Sequence, residues 1–138
     1  MTHSRHAPAL SRWRLQVRAV QAGRAALEAA LMGSEALVEG SVVEVRTVCG
    51  KAGCRCRRGK RHRHGPYLHL SLFRKGKTRM IHLPREWCDE VKAGVAAARA
   101  FWRARREWRA LGKRMDKLWQ LVEKSRRYLP YEPKKKSR

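Results

Sequence analysis

Three cysteines, Cys49, Cys54 and Cys56, fall within eight residues of one another in a stretch that cannot build a hydrophobic core of its own. The loop around them carries Lys51, Arg55, Arg57, Arg58, Lys60, Arg61 and Arg63, with Gly50, Gly53 and Gly59 between. Charged and small residues bury little apolar surface, so an ordered fold here needs another source of free energy to offset the lost chain entropy. Thiols offer two: a disulfide or a metal ion. The N-terminal segment MTHSRHAPALSRWRLQVR lacks the apolar run of a secretory signal, so reduced thiols or metal ligands are expected rather than disulfides. A transit peptide is the competing reading of residues 1–27, which hold Arg and Ser but no acid. Helical periodicity explains that segment better.

The cysteine spacing is C-x4-C-x-C, and His62 and His64 lie shortly beyond it. Three thiolates and one imidazole at such separations can close a tetrahedron around Zn2+, and the positive surroundings favour the thiolate form that a metal needs. The glycines let the loop turn tightly around an ion. His64 is the first choice for the fourth ligand because it leads directly into the next strand. His62 and Cys88 are the alternatives. Cys88 is otherwise read as packing near the start of a helix beside Trp87, and His69 and His82 as strand residues.

On either side of this loop the chain follows simple periodicities. Leu10, Trp13, Val17, Val20, Arg24, Leu27 and Leu31 recur at alternating steps of three and four, an a/d seam with one polar interruption. Residues 41–48 (SVVEVRTV) are β-branched and read as a strand. Residues 66–73 (PYLHLSLF) alternate, with Leu68, Leu70 and Leu72 on one face, and 78–83 return after a turn at Arg74, Lys75, Gly76 and Lys77. Pro84 suits a helix start, and Glu86, Asp89 and Glu90 suit the positive end of its dipole. The stripe on this second helix is Val91, Ala98, Phe101, Trp108, Met115, Trp119 and Val122, widened by Val95, Trp102, Leu111 and Leu118.

The expected fold is therefore α+β. A flexible N-terminus (1–9) precedes a helix (10–33), a basic β-hairpin and zinc-knuckle module (41–83), a long helix (84–128) pairing antiparallel with the first, and a disordered basic tail (129–138). The first helix is too short to cover the second. The uncovered half, with Gly94 and Gly112 permitting close approach, predicts self-association through helices.

The stretch CGKAGCRCRRGKRHRHGPYLHLSLFRKGKTRMIHLP, residues 49–84, resembles an uncharacterised prokaryotic family of small basic proteins. Its pattern is CGK-x-x-C-x-C, a short basic spacer, HGPY, a strand, GKT and a proline opening a long helix. The matching positions are Cys49, Gly50, Lys51, Cys54, Cys56, His64, Gly65, Pro66, Tyr67, Gly76, Lys77, Thr78 and Pro84. The resemblance implies His64 rather than Cys88 as the fourth ligand, and an association with mobile genetic elements. It implies no activity. The spacer from Arg57 to Arg63 is more basic here than in the family's pattern.

Charge narrows the function. The chain has 34 Lys and Arg against 11 Asp and Glu, a net charge of +23. Residues 41–83 alone hold +11, with Glu44 their only acid. No apolar run approaches the roughly 18 to 20 residues of a membrane span, which excludes an integral membrane protein. An anionic membrane surface is the lesser alternative to nucleic acid, and no membrane partner is expected. A chain this cationic meets a polyanion, and nucleic acid, RNA or DNA, is the commonest. The loop cations, with Lys51, Arg74, Lys75, Lys77 and Arg79, are the expected phosphate contacts, and Tyr67 could stack on a base. Arg99, Arg103, Arg105, Arg106, Arg109, Lys113, Arg114 and Lys117 add charge along the long helix.

Catalysis is not expected. His62 and His64 could be taken for a nuclease pair with Tyr128 or Tyr131 as nucleophile, but they lie in a basic loop without the acids of a two-metal site. A sequence-specific DNA-binding regulator is the runner-up, although no helix-turn-helix or finger pattern places a recognition helix. A helical assembly protein is the third reading. The sequence thus predicts a non-catalytic, nucleic-acid-binding accessory protein, cytoplasmic and associated with the nucleoid or a ribonucleoprotein. Its partner would be a larger enzyme such as a transposase or reverse transcriptase.

Overall fold

A computed structural model describes residues 7–127 of the chain. The expected basic tail, and all but the last residues of the expected flexible N-terminus, lie outside the described residues. The element order is α1 (Ala7–Leu31), β1 (Ser41–Thr47), β2 (His64–Arg74), β3 (Lys77–His82) and α2 (Cys88–Arg126). Three 3-10 turns, Arg55–Arg58, Lys60–His62 and Arg85–Trp87, fill the connections. The chain divides into two compact units: residues up to Gly33 with those from Arg103 onward, and Ser34–Trp102. Helix α2 contributes to both.

In the helical unit, the three-four spacing of α1 gathers its apolar residues on one stripe. Val17 and Val20 are buried, and Leu10, Trp13, Arg24, Leu27 and Leu31 are half-buried. Val17 and Val20 pack with Met115 and Leu118 of α2, flanked by Trp13 and Leu111. Each such side chain removed from water contributes about 1.5–3 kcal/mol. Glu28 meets Trp108 while Gly23 lies against Leu111, so the helices run antiparallel. The polar interruption at Arg24 meets an aromatic face and a carboxylate within the seam, although its buried Nε has no hydrogen-bond partner among the described residues. Its guanidinium stands 4.5 Å from the Trp108 ring centroid, and Glu28 accepts the Trp108 Nε1–H bond at 2.7 Å and lies 3.9 Å from Arg24.

The second unit is a three-stranded antiparallel sheet in the order β1-β2-β3, against which the start of α2 packs. Alternation places Leu68, Leu70 and Leu72 on the packed face. Leu70, Leu83 and Val95 are buried there, with Val38, Val42, Cys88 and Val91 around them. The β2–β3 turn uses Lys75 at φ 51° and Gly76 at φ 74°, the pair of positive φ angles that a tight hairpin turn needs.

These contacts correct two expectations. The half of α2 that α1 does not cover is not bare, because Val91 and Val95 pack against the sheet. Gly94 admits the chain's own residues 36–38 rather than a partner. A Cβ placed there would stand 2.5 Å from Val38 Cγ2, and Val38 N donates to Gly94 O at 3.1 Å. Trp102 and Trp119, expected in the apolar stripe, are about half exposed, at 53% and 50%. Among the described residues, no helix is long and apolar enough to cross a membrane.

Candidate metal centre

The register of the sheet builds the site. Thr47, the last residue of β1, pairs with His64, the first of β2, so the sheet closes loop 48–63 at its base. Cys49 follows that base on one side and His64 opens it on the other. Between them the chain advances by short turns: Cys54 N donates to Lys51 O, Arg57 N to Cys54 O, His62 N to Gly59 O, and Arg63 N to Lys60 O. This winding turns Cys54 and Cys56 back toward the base. After His64 the backbone reaches φ +110° at Gly65, where a Cβ would lie 2.9 Å from both Val45 O and Tyr67 N. Only glycine fits there without displacing backbone.

The ligand atoms of Cys49, Cys54, Cys56 and His64 all lie within 4.8 Å of one another. Cys56 Sγ is 3.7 Å from Cys49 Sγ, and Cys54 Sγ is 3.3 Å from His64 Nε2. Tetrahedral zinc with bonds of about 2.3 Å to sulfur sets its ligands roughly 3.8 Å apart, so the group fits such an ion with little movement. Cys49, Cys54, Cys56 and His64 are positioned to bind a metal ion. His62 and Cys88 stand outside the group. Cys88 packs in the core of the sheet unit, its thiol 3.3 Å from Pro84 O.

The thiols are not equivalent. Cys56 is 2% exposed, and burial pushes its pKa up. Cys54 is held below the usual thiol range, first by the backbone N–H of Cys56, then by the Cys56 and Cys49 thiols, with the Arg57 charge adding to them. Backbone supports the buried sulfur as well, since Cys49 N–H points at Cys56 Sγ from 3.4 Å. Such N–H contacts favour thiolate and orient it toward an ion.

Residues 16–93 match a family described as a domain of unknown function, DUF6788. The chain belongs to the DUF6788 family. All four metal-competent residues lie inside the matched span, together with most of α1, the whole sheet and the first residues of α2. The family is uncharacterised, as the resemblance over residues 49–84 implies. No curated protein and no solved structure is similar to this DUF6788 chain.

Around the metal-competent group, Lys51, Arg55, Arg57, Arg58, Lys60, Arg61 and Arg63 are all exposed. Lys75, Lys77 and Arg79 are exposed at the hairpin end, while Arg74 pairs with Glu39 at 3.4 Å. Tyr67 is 41% exposed on the sheet. Tyr128 and Tyr131 lie outside the described residues. Sequence reasoning missed the company Tyr67 keeps. Its ring meets that of His82 edge-on at 6.2 Å, and His82 meets His69 at 5.2 Å. The signal was available as the second phase of the same alternation that marked Leu68, Leu70 and Leu72.

Proposed function

We propose that the chain is a zinc-stabilised, non-catalytic nucleic-acid-binding accessory protein. The observation that carries this reading is the coincidence of a Cys3His group with seven exposed cations on the loop it organises. Among the described residues, no ion pair joins any of those seven to an acid. Uncompensated cations on one ordered loop repel one another, and a polyanion relieves that repulsion while releasing its own counterions. Zinc suits the donor set, since three thiolates and one imidazole form a closed site of the structural kind.

A closed site also argues against chemistry. His64 stands within the thiol group and His62 outside it, which supports reading them as separate residues rather than as a paired nuclease motif. Three protein ligands and an open position would be required for metal-assisted hydrolysis. The mobile-element setting we propose follows from the resemblance over residues 49–84, and the larger enzyme from the reading of a basic, helix-associated protein that holds nucleic acid for it. Self-association rests on a narrower base than the sequence implies. The exposed Trp119 supports it, and sedimentation of Trp119→Ser against the parent protein would test it.

Purification without nuclease treatment tests the central reading. Near-stoichiometric zinc together with a defined co-purified RNA or DNA is the expected outcome. Clean protein that keeps its fold in a chelator would reject it.

A further inference from the structure

The sheet has two faces, and the core occupies only one. Leu68, Leu70 and Leu72 pack inward with Leu83, so Tyr67, His69 and Phe73 alternate onto the other side of β2. Pairing with β3 adds His82 opposite His69, and Met80, opposite Ser71, to the same side. The edge-on contacts of His82 with Tyr67 and with His69 place these rings on one surface. None of the five is buried, and Phe73 is 70% exposed. A solvent-facing side of an antiparallel sheet is ordinarily polar, whereas this one presents aromatic rings, imidazoles and a thioether.

Its surroundings bear on what could cover it. Arg61 and Arg63 stand just before β2, and Lys75 stands in the turn just beyond its far end, all exposed. Flat apolar groups in the middle and cations at both ends suit a polymer that carries flat rings and a regular anion. Single-stranded polynucleotide has both. A duplex hides its base faces in the stack, and an apolar protein helix has nothing to offer the flanking cations.

We infer that this open face, centred on Tyr67, Phe73 and His82, is a stacking platform for unpaired bases, which makes the protein a reader of single-stranded rather than duplex nucleic acid. The inference rests on the nucleic-acid reading above and specifies its substrate class. Loop and hairpin cations hold the backbone, and rings hold the bases. Tyr67 and Phe73 stand six residues apart on one strand, about 20 Å at the rise of a strand, enough for more than one base.

The test uses the full-length zinc-loaded protein with two fluorescent probes of equal length, a single-stranded oligothymidine and a hairpin duplex. The parent protein should bind the single strand more tightly. Phe73→Ala, at a site too exposed to affect folding, should lower single-strand affinity about tenfold, leaving duplex affinity and the salt slope unchanged. Phe73→Trp should restore it. Equal affinity for both probes, or an Ala variant that binds the single strand as the parent does, would overturn the stacking platform while leaving phosphate binding intact. Failure of the parent protein to bind either probe would overturn both readings together.

Discussion

The sulfur of Cys54 lies 3.3 Å from Nε2 of His64, across ten positions of chain. One belongs to a loop with almost no apolar content. The other is the first residue of β2 and pairs with Thr47 of β1. A metal held by both would therefore couple loop order to strand register. The cations on the loop would be ordered by the same ion that anchors the sheet's open end.

Removing a ligand should separate the cysteines by role. Cys54→Ser is expected to lose zinc and lower the melting temperature, because binding free energy of such a site is folding free energy. Cys88→Ser and His62→Ala should retain the metal, since both residues stand outside the group. Metal analysis and thermal unfolding of the three variants check this. Full zinc content in Cys54→Ser would refute the site.

Thiol chemistry should follow the local environments. In metal-stripped protein, the lowered pKa of Cys54 keeps thiolate present as pH falls, while the raised pKa of Cys56 removes it first. Iodoacetamide should then label Cys54 at pH values where buried Cys56 is silent, with peptide mass spectrometry reading the order. Zinc should protect both. Because metal binding releases thiol protons, zinc affinity should rise with pH.

Replacing Arg57, Arg58, Arg61 and Arg63 with Ala tests phosphate contact by the loop. If all four neutralise phosphates, the slope of log affinity against log salt should fall by about 3 units, at roughly 0.7–0.9 per contact. Fluorescence anisotropy over a salt series measures it. An unchanged slope would move the binding face elsewhere on the chain.

Two glycines of α2 should respond with opposite signs. Gly94→Ala drives a methyl into Val38 and Ala36 O, and such overpacking costs about 1–3 kcal/mol. Gly112 meets nothing within 4 Å, so Gly112→Ala should stabilise by about 0.5–1 kcal/mol through helix propensity. Urea unfolding of both variants gives the sign directly.

Periodicity makes most of this architecture legible in the sequence. The three-four seam of α1, the β-branched run of β1 and the Leu alternation of β2 each state a local preference that the fold satisfies, and close cysteine spacing marked a metal loop. Those signals are local, because helix and strand periods act over a few residues. What covers an apolar face is not local. Only packing decided that the sheet, and not a second copy, takes the first half of α2, and that Val38 fills the gap over Gly94. His64 is already favoured over His62 by leading directly into the strand, and only strand register set Tyr67 beside His82. Choices of this kind depend on close-packed contacts between residues far apart in the chain, and pattern along the sequence carries no information about which of them meet.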